Sequence, residues 1–194
     1  VPWPAEHKAE TRARIVGAAA AALRASGVAD VGVAEVMRSA GLSHGGFYGH
    51  FSSKDELVAA AVTGAGHDSD AGLAMLRSGV PAGDLLEETT AYLSAEHLAH
   101  PERGCPLAAT GPELARGSQT VRNALGAEIR RRLDRLAGLS PRRRSGTRRK
   151  RDAAGALACM VGGMVIARGL PESEGTALLA DVRAFVRAAL SDRP

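Results

Sequence analysis

Apolar residues recur at helical spacing along nearly the whole chain. Between Glu6 and Ala25, Ile15, Ala18, Ala19, Ala22 and Leu23 fall on one face and predict a first helix, closed by Gly27. Val33, Val36, Met37 and Ala40 form a second stripe over 33–40, and Gly41 ends it, since glycine can take a positive φ. Ser43 is a good N-cap for another short helix to about His50. A further helix is predicted from near Ser53, with Lys54 in its first turn and Asp55 and Glu56 favouring the dipole. It extends to about Val62, and Gly64, Gly66 and Gly72 leave its continuation open.

The pattern stays helical afterwards. Pro81-Ala82-Gly83-Asp84 opens a helix predicted to run to about His100, where Pro101 and Gly104 break it. Pro106 suits the first turn of a short helix ending near Arg116. Ser118 caps a long amphipathic helix to about Ala137, carrying Val121, Leu125, Ile129, Leu133 and Leu136 at 3–4 spacing. The basic run 141–151 reads as a solvated loop, 152–168 as a helix apolar almost all round, and Ser173 as the cap of a last helix to Leu190. No period-2 alternation is long enough for a sheet, so the expected class is all-α.

Two short helices joined by a tight glycine-containing turn, at 33–50, are a helix-turn-helix signature. In that arrangement the second helix enters a major groove. The stretch Thr11 to Val62 also resembles the head of the TetR-type (TetR/AcrR) transcriptional regulators. The matching residues are Arg14-Ile15 with Ala18, Gly27, the Ala40-Gly41-Leu42-Ser43 turn, Gly45, Phe47-Tyr48, His50-Phe51, Ser53-Lys54 and Leu57. Gly41 to Lys54 is the specific part. Many members carry a hydroxyl residue where Gly32 stands, so the second helix lacks a side-chain cap here. Gly45, Gly46 and Gly49 make the recognition helix intrinsically poor, by about 1 kcal/mol each relative to Ala. The resemblance implies a three-helix head over 1–63, followed by a ligand-binding and dimerisation domain over 64–194.

Composition narrows the classes. Only Cys105 and Cys159 occur, too few for a disulfide framework, and a reducing cytoplasm is the simplest compartment. No stretch approaches the ~18 continuous apolar residues of a membrane span. The net charge of +4 carries less information than it suggests. Residues 1–63 hold six Lys/Arg and six Asp/Glu, and with the seven cations of 141–151 set aside, 18 of the 25 cations remain against 21 acids. Basic runs can grip nucleic acid, but a solvated loop between helices is the preferred reading of this one.

Candidate DNA-contacting residues follow from chemistry. Ser43 and His44 begin the recognition helix, where N–H groups and a donor can meet phosphate or a base edge. Gly45 and Gly46 let backbone approach DNA closely. Tyr48 offers a phenol, His50 a ring nitrogen and Lys54 a cation to phosphates, which position without reading sequence. Phe47 and Phe51 are assigned to the head's core. A dimer is expected, because one short helix contacts few base pairs.

The second half carries the remaining candidates. By resemblance, the last two helices, 152–190, form a homodimer interface. Gly155, Ala158, Cys159, Gly162, Gly163 and Ile166 lie close to one face and permit close approach, although a core helix of the monomer explains them too. Leu86, Thr89, Tyr92, Leu93, Cys105, Leu107, Thr110, Leu125 and Met160 are the candidate ligand-binding residues, and their mostly apolar character points to a hydrophobic small-molecule effector. Arg103-Gly104-Cys105-Pro106-Leu107-Ala108-Ala109 resembles a segment of one TetR subgroup in which a short helix crosses the ligand chamber. Cys105 there precedes a helix N-terminus, which can favour its thiolate, or it is a small apolar filler. Cys159 reads as packing.

His97 and His100 stand i, i+3, but no second pair with ligand spacing follows, so they read as two solvated histidines and no metal or cofactor is expected. Cys105 with either histidine lacks an orienting group and an oxyanion loop, so no catalytic residues are assigned and an enzyme is disfavoured. The sequence reading is a homodimeric, ligand-responsive regulator, a repressor released from a palindromic operator. The alternative is a helical ligand-binding or adaptor protein without operator binding.

Overall fold

The computed structural model describes residues 5–76 and 83–191. In chain order the helices are α1 (Ala5–Ser26), α2 (Val33–Ser39), a 3-10 turn (His44–Gly49), α3 (Lys54–Leu76), α4 (Leu85–Tyr92) and α5 (Ala95–Ala99). A second 3-10 turn (Pro101–Arg103) precedes α6 (Pro106–Ala115), α7 (Gln119–Leu139), α8 (Gly146–Arg168) and α9 (Glu172–Leu190). No strand occurs among the described residues, and no helix there is long and apolar enough to cross a membrane. The chain forms two compact units: residues up to Asp68 with Cys105–Glu128, and Ser69–Gly104 with the residues from Ile129 onward.

In the first unit, Ile15, Ala19 and Leu23 of α1 are fully buried, with Val36 and Met37 of α2 and Leu57, Val58, Ala61 and Val62 of α3. These are the apolar positions of the helical stripes. Gly27 and Gly41 take φ of 87° and 70°, so both helix exits use conformations that side chains rarely adopt. The Val28 amide beyond α1 donates to the Glu113 carboxylate of α6 at 2.7 Å. Gly32 stands at the N-cap of α2 with no side-chain bond, as its missing hydroxyl implies.

The glycines of α3 do not end it. A Cβ at Gly64 would lie 2.8 Å from Val16, and one at Gly66 would lie 2.4 Å from Glu128. They are therefore places where neighbouring helices come close, and the helix runs on through them to Leu76.

In the second unit, α8 and α9 form an antiparallel hairpin. A Cβ at Gly175 would meet the Ala167 carbonyl at 2.5 Å, and one at Gly163 would meet Val182 at 3.3 Å. Farther along, Arg144 donates to the Leu190 carbonyl. The hairpin is tied to α4 and α5: Arg183 donates to the Leu93 carbonyl, and Arg168 to the His97 carbonyl at 3.2 Å.

Three expectations for the helices change. The helix predicted to about His100 is two, because the chain turns at Leu93 (φ −83°, ψ 47°) and the Ser94 side chain caps α5 on the His97 amide. Its predicted opening at Pro81-Ala82 lies outside the described residues; Asp84 caps α4. The basic run is only half a loop. Ser145 accepts from the Arg148 amide and starts α8 at Gly146, while Asp152 takes Arg144 at 2.7 Å and Arg148 at 3.0 Å. Local capping and a buried carboxylate thus override the charge pattern. Finally, α9 begins one residue before Ser173, with Pro171 at its N-cap and no side-chain bond there.

Candidate nucleic-acid interface

Residues 43–54 form one strip on the first unit. Its second helix is a 3-10 turn, not an α-helix, and the Ser43 side chain makes no capping bond. The reason lies in Gly45, Gly46 and Gly49, which add helix-destabilising backbone freedom within six residues. Two aromatics anchor the turn. Phe47 and Phe51 are buried and stack at 5.8 Å between centroids, and the Arg12 guanidinium lies 4.6 Å over the Phe51 ring. Arg14 of α1 donates to the Ala40 carbonyl at the end of α2.

That anchoring turns the other side outward. Ser43, His44, Gly45 and Gly46 are exposed. Tyr48 is 74% exposed, edge-on to Phe47 at 5.2 Å. A Cβ at Gly45 or Gly49 would meet nothing within 4 Å, so neither glycine is required by packing inside the chain. Lys54 is exposed and donates to the Ala29 carbonyl at 3.2 Å. His50 is half-buried, and its pKa is lowered by burial and then by Lys8 and Arg12. At neutral pH it is a neutral donor rather than a cation. Beside the strip, Glu56 accepts from the Ser52 amide and hydroxyl, which hold its pKa below the usual carboxylate range.

The candidate ligand residues divide between the two units. Cys105, Leu107, Thr110 and Leu125 belong to the first and are buried; Thr89, Tyr92, Leu93 and Met160 belong to the second and are buried, and Leu86 is half-buried. Both threonine hydroxyls are spent on their own helices: Thr89 donates to Leu85 at 2.7 Å and Thr110 to Pro106 at 3.1 Å.

The two thiols differ in access. Cys105 is fully buried at the N-cap of α6, whereas Cys159 is half-buried and its pKa is raised by burial. Cys159 lies on a groove between α8 and α9, because the small residues around it leave that face uncovered within the chain.

His97 is not solvated. It is buried, its Nδ1–H donates to the Tyr92 carbonyl at 2.7 Å, and its ring meets Tyr92 edge-on at 4.4 Å. Burial lowers its pKa to about 4, and Arg168 and Arg132 add to that. His100 stays half-exposed beside Glu96 and Glu102. No group of three potential metal ligands occurs among the described residues.

One feature of the second unit was not legible in the sequence. Asp70 of α3 sits between Arg131 at 2.6 Å, Arg132 at 3.4 Å and Arg135 at 3.5 Å, and Arg135 also pairs with the fully buried Glu88. The only sequence signal is the i, i+1, i+4 arginine spacing on a helix that otherwise looks solvated.

Residues 15–61 match the family described as bacterial regulatory proteins, tetR family. No curated protein matches the chain. Among solved structures, a TetR-family transcriptional regulator from Cytophaga hutchinsonii aligns with TM-score 0.75 at 18% identity, covering 97% of this chain and 98% of that one. E. coli NemR in its reduced form aligns with TM-score 0.73 at 18% identity, over 95% and 98%. A TetR regulator from Chloroflexus aurantiacus aligns with TM-score 0.69 at 24% identity, over 93% and 96%. Residues 15–61 thus match a tetR-family head, and the whole chain has the all-helical fold of those structures.

Proposed function

We propose that the protein is a ligand-responsive repressor that binds a palindromic operator as a homodimer. The observation that carries this is the strip of exposed Ser43, His44, Gly45, Gly46 and Tyr48, held outward by buried Phe47 and Phe51 on a tetR-family head. Ser43 and the exposed glycines bring backbone N–H groups to phosphate, Tyr48 and Lys54 position the head, and His44 reaches a base edge. His50 contributes a neutral donor. Lys54 leaves the Ala29 carbonyl when a phosphate is present.

Residues 1–63 act as the head and 64–194 as the effector and dimer domain. The dimer forms through 152–190, and its support is physical: Val165, Ile166, Leu170 and Phe185, all between 38% and 66% exposed, lie on or next to α8 and α9. A small, largely hydrophobic molecule releases the operator. Support for its character comes from the buried Tyr92, Leu93 and Met160 in the second unit. Such a regulator acts in the cytoplasm. Footprinting on the DNA upstream of the protein's own gene tests the reading: protection of two symmetric half-sites is expected, and no protection of any upstream sequence rejects it.

A further inference from the structure

The turn between α7 and α8 and the first turns of α8 carry charge that the fold does not use. Between Asp134 and Glu172 the sequence has nine cations and a single acid, Asp152. Asp152 is buried and takes Arg144 at 2.7 Å and Arg148 at 3.0 Å. Arg144 also donates to the Leu190 carbonyl at the end of α9 at 2.5 Å. Those bonds fix the corner. They leave Arg142, Arg149, Lys150 and Arg151 with no ion pair or side-chain hydrogen bond among the described residues. Arg142, Lys150 and Arg151 are exposed and Arg149 is half-buried. The end of α9 beside the corner brings Arg187 and, among the described residues, no acid after Asp181. Arg149, in the first turn of α8, is opposed by the helix dipole as well. Within the chain this placement of charge is unfavourable.

We infer that this corner is a second, sequence-indifferent surface for the phosphates of duplex DNA, made of other residues than the strip at Ser43–Lys54. The residue types decide the partner. Six of the seven cations in 141–151 are arginine, whose planar fork bonds phosphate oxygens in pairs. The run holds no aromatic residue or histidine on which an unpaired base could stack, as single-stranded partners require. Its other residues are Pro141, Ser145, Gly146 and Thr147, so no large apolar side chain is present to anchor it in a lipid surface. The α8 dipole, unfavourable for the helix's own cations, adds to the attraction for phosphate. Residues 149–151 fan over about 200° of the helix, so two of the three can meet one duplex face. With Arg142 from the turn, the corner engages about three phosphates, and such contacts position a duplex without reading its sequence.

The test uses the full-length protein, a short fluorescent duplex of arbitrary sequence, and the triple variant Arg142→Gln, Arg149→Gln and Lys150→Gln. Arg151 is left in place because it lines the α8/α9 groove. Glutamine keeps the helix propensity, so thermal melts should be unchanged or slightly higher. The parent should bind the duplex with an affinity that falls steeply with salt. The triple variant should bind roughly tenfold or more weakly at low salt, with a log–log salt slope shallower by about two units. The same losses should appear when Tyr48→Phe and Lys54→Ala are already present, which separates the corner from the head. A triple variant with the parent's affinity and slope overturns the inference. So does a parent that, at equal phosphate, prefers a single strand or a phosphatidylserine vesicle to the duplex. The duplex contains no operator, so a parent that binds no operator rejects the repressor reading and leaves this result standing.

Discussion

At His97 the fold keeps an imidazole neutral, and the consequence for stability has a definite sign. The folded pKa is about 4, lowered first by burial and then by Arg168 and Arg132, against an ordinary value of 6.5. The unfolded chain therefore takes up the proton first, and stability present above pH 6.5 is lost as pH falls toward 4. A shift of this size corresponds to about 3 kcal/mol in full. Roughly 2 kcal/mol of it should be gone between pH 7.5 and pH 5. His97→Asn places an amide N–H where Nδ1–H donates to the Tyr92 carbonyl and cannot be protonated in that range. Urea unfolding at half-unit steps of pH measures the difference. The parent should lose stability across the window, and His97→Asn should be much flatter, keeping a small slope from His50, whose pKa is also lowered. Equal pH dependence in the two proteins would refute the assignment of that slope to His97.

Other sites make equally direct tests. Gly45→Ala gains about 1 kcal/mol of helix propensity and meets no neighbour, so thermal stability should hold or rise while operator affinity falls; unchanged affinity would free Gly45 from any role at the DNA. Gly162→Leu, in open space, should dissociate the dimer with little effect on the monomer. Gly163→Leu should destabilise the fold itself by about 1–3 kcal/mol, because a Cβ there lies 3.1 Å from Leu93; sedimentation and thermal melts separate the two. Cys105, fully buried, should alkylate far more slowly than the half-buried Cys159; mass spectrometry of the adducts would show the opposite order if Cys105 is the sensor.

The head was legible because its signals are local. A glycine at Gly41, an apolar stripe on 33–40 and the buried pair Phe47 and Phe51 each follow from residue type and spacing. Helix type was less legible at 44–49, where three glycines and two aromatics pull in different directions and a 3-10 turn results. Gly64 and Gly66 read as breakers because sequence shows a missing side chain but not the Val16 or Glu128 that fills its place. His97 read as solvated for a similar reason: its burial depends on the Leu93 turn, which no periodicity marks. The ion pairs of Asp70 and Glu88 join residues 47 to 65 apart in sequence, beyond the reach of any local pattern.

The strip Ser43–Lys54 is proposed to hold operator DNA. Its most direct measurement is the affinity of the parent and Lys54→Ala for a footprinted operator at several salt concentrations. Specific binding by the parent is expected, with a salt dependence in Lys54→Ala shallower by about one unit of slope and sequence preference unchanged. A parent that binds no operator, or a Lys54→Ala protein with the parent's affinity and slope, would contradict it.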